Sequence, residues 1–248
     1  MSLPRPLVVV AIAFSATLLG SLSGGSSSLL TTPAWIALGF PLPVAVAADK
    51  VAGTFWTIVG ARNYLRGRAV DRVLLLGMMV FGVIGAIAGA TFATTVDPAR
   101  LKRLVGGLIV LVVVAIAVRP RLGATTGRPR FSRSVVIGAA LPLGFYEGIL
   151  GSGNTIATTT LLTVGRGFDL LGALGHYYAM ASAWCAVAAL SYWRAGYLNF
   201  ALAIPAAAGA VAGGYLGSRL ATRFGSAAVR SIFIVAGLVL GGKLLLGW

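Results

Sequence analysis

Two short stretches carry most of the polar chemistry in an otherwise apolar chain. The first is Gly24-Gly25-Ser26-Ser27-Ser28, followed by Thr31, Thr32 and Pro33; the second is Gly151-Ser152-Gly153-Asn154-Thr155, followed by Thr158, Thr159 and Thr160. Each is a flexible, hydroxyl-rich break ahead of a short apolar run. Ser or Asn before a helix is a natural N-cap, and the free N–H groups of such a terminus, backed by the helix dipole, make a ready anion site. Gly25, Ser26, Ser27, Ser28, Thr31, Gly153, Asn154, Thr155 and Thr158 are therefore candidate ligands of a small anion. Neither break is a nucleotide loop, because no Gly-Lys-Ser/Thr follows the glycines. The plain alternative is a pair of helix-ending loops at a membrane surface, with Ser and Thr serving as glue between helices.

A few ionisable groups lie near these breaks. Lys50 can contact an anion with Asp49 as its partner, or the two can form an interfacial pair whose side chains reach out to water. Tyr177-Tyr178 occupy the corresponding place in the second half, with His176 just before them; His176 can titrate near neutrality or serve as a hydrogen-bonded packing residue. Glu147, just before the second break, can carry a proton, hold Asn154 in place or sit at a helix mouth. Asp49 and Glu147 are the candidates for gating or proton coupling. Trp56 and Trp184 read as packing residues or cavity walls, and Arg62, Arg66, Arg68 and Arg194 as interface anchors.

Other chemistries are poorly supplied. With one histidine and five acids, the chain has no paired aspartates, metal-spaced His/Cys cluster or Gly-x-Ser-x-Gly motif. No catalytic residue, metal or cofactor is expected. A cation carrier is disfavoured because hard cations want several carboxylate oxygens. An intramembrane enzyme, a cation or metal transporter and a structural membrane subunit are the competing classes; the last would not explain two polar breaks placed symmetrically. Cys185 lacks an internal partner and carries no redox information.

The elements that must position these residues are membrane helices. The 248 residues are 58% hydrophobic and 10% charged, with mean hydropathy +0.94, whereas a soluble domain is about one-quarter charged. At roughly 20 apolar residues per crossing, the chain is expected to be an all-α polytopic membrane protein of about 8–10 membrane segments. Apolar runs fall at 6–22, 29–40, 44–62, 73–95 and 103–118, and then at 134–150, 156–165, 170–192, 198–220 and 227–247. The second run of each five reads as a re-entrant or half helix. Residues 6–22 resemble a signal peptide but match a segment in the second half, and are read as a permanent first helix. The net charge of +15 lies between the apolar runs, as cytoplasmic loops require. The expected partner is thus the lipid bilayer of a bacterial inner membrane, not nucleic acid, and a homodimer is compatible with the chain.

The two halves match each other. Gly39-Phe40 pairs with Gly167-Phe168, Ala45 with Ala173, Trp56 with Trp184, Tyr64 with Tyr192, Arg66 with Arg194, Gly85 with Gly213 and Gly89 with Gly217, all 128 residues apart. One residue upstream of that register, Gly24 pairs with Gly151 and Ser26 with Gly153. The expected organisation is two homologous transmembrane repeats, 1–127 and 128–248. An inverted arrangement is preferred because it places Arg166, Arg219, Arg223 and Arg230 on the same side as 62–72 and 119–133. Gly20/Gly24, Gly85/Gly89, Gly209/Gly213 and Gly213/Gly217 have the Gly-x-x-x-Gly spacing of close helix packing. In such duplicated carriers the substrate site lies near the midplane between the repeats.

The segment Gly148-Ile149-Leu150-Gly151-Ser152-Gly153-Asn154-Thr155-Ile156-Ala157-Thr158-Thr159 and the endings Tyr64-Leu65-Arg66-Gly67 and Tyr192-Trp193-Arg194-Ala195-Gly196 resemble the TauE/SafE family of sulfite and organosulfonate exporters. The likeness covers essentially the whole chain. That family's pattern has three glycines followed by a proline. Here Ser26, Ser27 and Ser28 replace the glycines while Pro33 is kept, and Asn154, Thr155 and Thr160 replace family residues in the second half. The resemblance implies export of sulfite or an organosulfonate. Energetics point the same way: a monoanion leaving a negative cell interior gains about 2.3 kcal/mol per 100 mV. The sequence alone thus favours electrogenic export in which Asp49 and Glu147 tune or gate the passage.

Overall fold

A computed structural model describes residues 5–97, 100 and 128–224. Among them are eight helices: α1 (Arg5–Ser23), α2 (Ser28–Ala37), α3 (Leu42–Leu65), α4 (Arg72–Thr95), α5 (Arg133–Ile149), α6 (Asn154–Arg166), α7 (Leu170–Arg194) and α8 (Phe200–Phe224). Three segments, Leu42–Leu65, Arg72–Thr95 and Phe200–Arg223, are long and apolar enough to cross a membrane. At 1.5 Å per residue, a 24-residue helix reaches about 36 Å. With 10 and 13 residues, α2 and α6 are only about 15 and 20 Å long, as their short apolar runs predict. The expected segments 103–118 and 227–247, the boundary at 127/128 and Arg230 lie outside the described residues.

Local sequence sets the helix ends. Pro41 and Pro43 open α3, where the missing N–H costs nothing. The Asp71 side chain accepts from the Leu74 amide to cap α4, Ser132 does the same for α5 through Val135, and Asn199 caps α8 through Leu202. Gly167 closes α6 in the left-handed region, φ 75°, which costs a glycine little.

Small residues bring the long helices together. On α8, a Cβ at Gly209, Gly213 or Gly217 would run into the carbonyl oxygens of Val10, Phe14 and Leu18 on α1. On α4, Gly85 and Gly89 meet the Leu141 and Phe145 carbonyls of α5 in the same way, and Gly148 of α5 meets the Ala86 carbonyl. The numbering rises together in both seams, so each pair is parallel. In contrast, α3 and α7 are antiparallel, with Gly53 at Cys185, Gly60 at Tyr178 and Gly175 at Leu65. The Gly20/Gly24 pair departs from its expected role in a helix seam. Gly20 faces the Ser26–Ser27 backbone of the following break, and Gly24 lies beyond α1 at φ 64°.

The α4 side chains Val73, Leu76, Val80, Phe81, Ile84 and Ile87 are exposed, as a lipid-facing surface requires. Cations gather at one end of the bundle. Arg133 pairs with Asp71 at 3.0 Å and Arg68 with Asp169 at 3.5 Å, Arg166 donates to the Phe131 carbonyl, and Arg66, Arg219 and Arg223 line one depression there with Asn63.

Candidate functional site

The two breaks meet inside this bundle. Each leaves a long helix and turns back into a short one, so that the chain reverses within the protein rather than beyond it. Ser152 Oγ donates to Ser28 Oγ at 3.0 Å, and Thr155 Oγ1 to the Gly25 carbonyl at 3.4 Å. Ser28 also bonds Ser26 at 2.7 Å. Irregular backbone at membrane depth is tolerated where protein or an internal cavity satisfies it, and here each break supplies partners for the other. Gly151 and Gly153 take φ values of 75° and 79°. A side chain at Gly151 would displace the Glu147 carboxylate and the Lys50 ammonium.

That contact marks the centre of the site. Lys50, from α3, donates to Glu147 Oε1 of α5 at 2.8 Å and to the Leu150 carbonyl at 3.0 Å. The two side chains are 3% and 6% exposed, so both charges are out of water and depend on each other. The other carboxylate oxygen, Glu147 Oε2, accepts from Asn154 Nδ2 of α6 at 2.8 Å and from Tyr177 OH of α7 at 3.1 Å. Cys185 Sγ lies 3.5 Å from Oε1. Four helices therefore converge on a single carboxylate. A cavity of about 30 Å³ opens beside it, lined among others by Ser26, Ser27, Ser28, Lys50, Glu147 and Thr155. It has room for about two waters, less than a sulfur oxyanion needs.

The expected partnership of Asp49 with Lys50 is not the one formed. Asp49 turns to α2, accepting from Thr32 Oγ1 at 2.5 Å and Trp35 Nε1 at 2.8 Å, while Lys50 reaches across to Glu147. Side-chain capping is also absent where it was expected. Ser27 precedes α2 without a side-chain cap, and the α6 cap position belongs to Gly153. The Asn154 amide instead holds Glu147 and donates to the Leu143 carbonyl at 3.1 Å. Thr31 donates to the Ser27 carbonyl at 3.2 Å, and Thr158 to Asn154 Oδ1 at 3.5 Å; both brace the start of a short helix.

His176 lies apart from this cluster. Its Nε2 accepts from the Asp71 amide at 3.1 Å, and its Nδ1 pairs with the Gly172 carbonyl at 2.7 Å. That pattern fixes a neutral ring protonated on Nδ1, joining α7 to the start of α4. Of the two tryptophans read as packing residues or cavity walls, Trp56 lines the cavity, whereas Trp184 packs over Gly82 and donates to the Met79 carbonyl at 3.1 Å. Ser152, Thr32 and Cys185 were visible in the sequence but stood outside the candidate ligands, and Trp35 gave no signal. Ser152 lay between the glycines of the second break. Cys185 is 128 residues from Thr57, and both line the cavity, so the internal match held the signal.

Apolar helices enclosing a buried charged cavity, with two broken segments meeting at it, define a multi-pass membrane transporter. The family model described as Sulfite exporter TauE/SafE matches residues 9–244, and the chain belongs to that family. A "Probable membrane transporter protein" of Haemophilus influenzae is 23% identical over 97% of this chain and 95% of its own length. The "Probable membrane transporter protein YfcA" of Escherichia coli is 26% identical, covering 97% and 90%. One from Bacillus subtilis, "Probable membrane transporter protein YjnA", is 23% identical over 88% and 93%. These relatives carry transporter names rather than enzyme names. No solved structure matches the chain.

Proposed function

We propose that this protein exports a small sulfur oxyanion, sulfite or an organosulfonate, across a bacterial inner membrane, binding it where the two breaks meet. The carrying observation is the convergence of Ser28, Ser152, Thr155 and the buried Lys50 on one cavity. Lys50 supplies the positive charge, and Ser26, Ser27, Ser28 and Thr155 supply hydroxyls. Since the cavity is too small, substrate enters after the helices around it part.

In this reading the chain is two inverted copies of one unit. Exchange of equivalent contacts supports it. The α8 seam on α1 and the α4 seam on α5 use equivalent residues, with Gly213 and Gly217 answering to Gly85 and Gly89. Tyr64 OH donates to the Ser21 carbonyl, and Tyr192 OH to the Gly148 carbonyl. Asp71 and Asn199, 128 residues apart, cap their helices alike. The arginine-rich end is the cytoplasmic face.

Flux measurements in proteoliposomes over sulfite, sulfate, thiosulfate and sulfoacetate test the function. Saturable transport of one or more is expected, and it should vanish in Asn154→Leu or Ser27→Leu protein that inserts correctly. Undiminished flux in both variants would place the substrate elsewhere.

A further inference from the structure

Glu147 and an incoming anion compete for the same ammonium group. Lys50 gives two of its three N–H groups to Glu147 Oε1 and the Leu150 carbonyl. An anion that pairs with the Lys50 charge competes with the carboxylate that holds it at 2.8 Å. With Asp49, Lys50 and Glu147 all ionised, the cavity carries one net negative charge. A monoanion would double it in a space shielded from water, where like charges repel strongly. One proton on Glu147 restores the original total. The neutral carboxyl then gives up its claim on Lys50 and keeps its place through Asn154 and Tyr177.

We propose that the carrier moves each monoanion together with one proton, and that Glu147 holds the proton during the passage. The inference rests on the anion-transport reading above. In the empty carrier the Lys50–Glu147 pair is closed and neutral as a unit. One proton adds to a Glu147 carboxylate oxygen, the anion takes the freed N–H groups of Lys50, and the cavity reopens on the opposite side. Anion and proton leave there and the pair closes again. One proton and one anion enter, the same two leave, and no covalent bond changes except the O–H on Glu147.

The surroundings of Glu147 single it out. The groups facing it are Lys50 from α3, Asn154 from α6, and Tyr177 and Cys185 from α7. On its own helix, Tyr146 donates to the Ser152 carbonyl, and α4 brings Ala86 and Ala90 against neighbouring Gly148. Asp49 is not in the same position: Thr32 and Trp35 occupy its oxygens, and it need not change partners when the anion arrives. This departs from the uniport favoured by sequence, where Lys50 had no visible partner but Asp49. Direction then follows the sum of the anion and proton gradients and not the membrane potential.

The test uses the full chain in proteoliposomes with isethionate, an organosulfonate that stays a monoanion, and an internal pH dye. Valinomycin and potassium set the potential, and protein-free vesicles give the leak. One proton should cross with each anion. A one-unit pH gradient at zero potential should accumulate isethionate about tenfold at equilibrium on the alkaline side, and an imposed potential alone should drive nothing. Glu147→Gln should lose the pH-driven accumulation and the proton movement, leaving only potential-driven flux. Tyr177→Phe, which removes one donor from the carboxylate, should shift the pH dependence while keeping one proton per anion. Wild-type flux that follows the potential without proton movement overturns proton coupling but leaves an anion carrier, and so does Glu147→Gln protein that still moves one proton per anion for the role of Glu147. Should Glu147→Gln protein not fold, the wild-type stoichiometry and Tyr177→Phe decide. No flux of isethionate, sulfite or the other anions above leak would instead overturn the transport reading itself.

Discussion

Removing one member of the Lys50–Glu147 pair should cost far more than removing both. Lys50→Met leaves the Glu147 carboxylate inside the bundle with Asn154, Tyr177 and Cys185 beside it and no counterion among the described residues. Glu147→Gln leaves the ammonium with the Leu150 carbonyl and an amide. Breaking a buried pair from one side costs about 3–5 kcal/mol, because the survivor's charge stays out of water without its counterion. The double variant Lys50→Met/Glu147→Gln removes both charges and keeps similar volumes. Replacing buried pairs by neutral groups is often harmless, so it should lie within about 1 kcal/mol of wild type. The double-mutant cycle then yields a coupling energy of several kcal/mol, beyond the scale of exposed pairs at about 0.2–1 kcal/mol. Denaturant titration in detergent micelles, followed by tryptophan fluorescence, measures all four proteins. Flux measured in parallel should be lost in the double variant despite its recovered stability, since the site would have no cation. Additive single effects, each below 1 kcal/mol, would refute the burial and mutual dependence argued from the 2.8 Å contact.

Two further perturbations test the scaffold. Gly213→Val and Gly85→Val should each cost about 1–3 kcal/mol and separate α1 from α8 or α4 from α5, whereas Gly138→Ala on α5, with nothing within 4 Å of the added carbon, should stabilise by about 0.5–1 kcal/mol; the same denaturant titration distinguishes them. At the arginine-rich end, burial pushes the Asp71 carboxyl up, but the Leu74 amide and Arg133, with Arg166 nearby, hold it below its ordinary value on balance. A carboxyl depressed by folding contributes stability above its unfolded pKa of about 3.9 and loses it as pH falls through the lower folded value. Asp71→Ala should therefore cost about 1 kcal/mol at neutral pH, with the difference from wild type shrinking below about pH 4.

The sequence made the helices legible because hydropathy and helix length share one physical cause, the thickness of the apolar layer. The apolar runs at 29–40 and 156–165 became α2 and α6 within a few residues. The glycine seams were legible as a pattern, but Gly20/Gly24 shows its limit: the same spacing can mark a loop folding onto its own helix. Partners were harder to read than positions. Asp49 and Lys50 are adjacent in sequence, and on a helix adjacent residues point about 100° apart. One therefore faces α2 and the other faces α5. The contact that defines the site spans 97 residues, and no local pattern encodes it. His176 takes the hydrogen-bonded packing role that was one of its two readings, but a polar residue among tyrosines gives no sign of which end of its helix meets a neighbouring turn.

The placement of charge suggests how a near-symmetric scaffold could serve an asymmetric task. Under the proposed duplication, Asp49-Lys50 answers to Tyr177-Tyr178, and Glu147 answers to Gly20. The two cavity-facing halves thus differ where the charges lie and agree where the helices touch. In the proposed carrier, equivalent seams would give the bundle two conformations of similar energy, one open to each side, as alternating access requires. With one buried ion pair among the described residues, the proposed carrier would offer one cation to one anion in either conformation. Tyr177, in the same half as Glu147, donates to its carboxylate, so the residue standing in for Asp49 serves the same group that Lys50 reaches from the other half. If both halves had kept a lysine and a carboxylate, a neutral carrier could bind two anions, and the closed cavity of about 30 Å³ would have to open far wider to admit them.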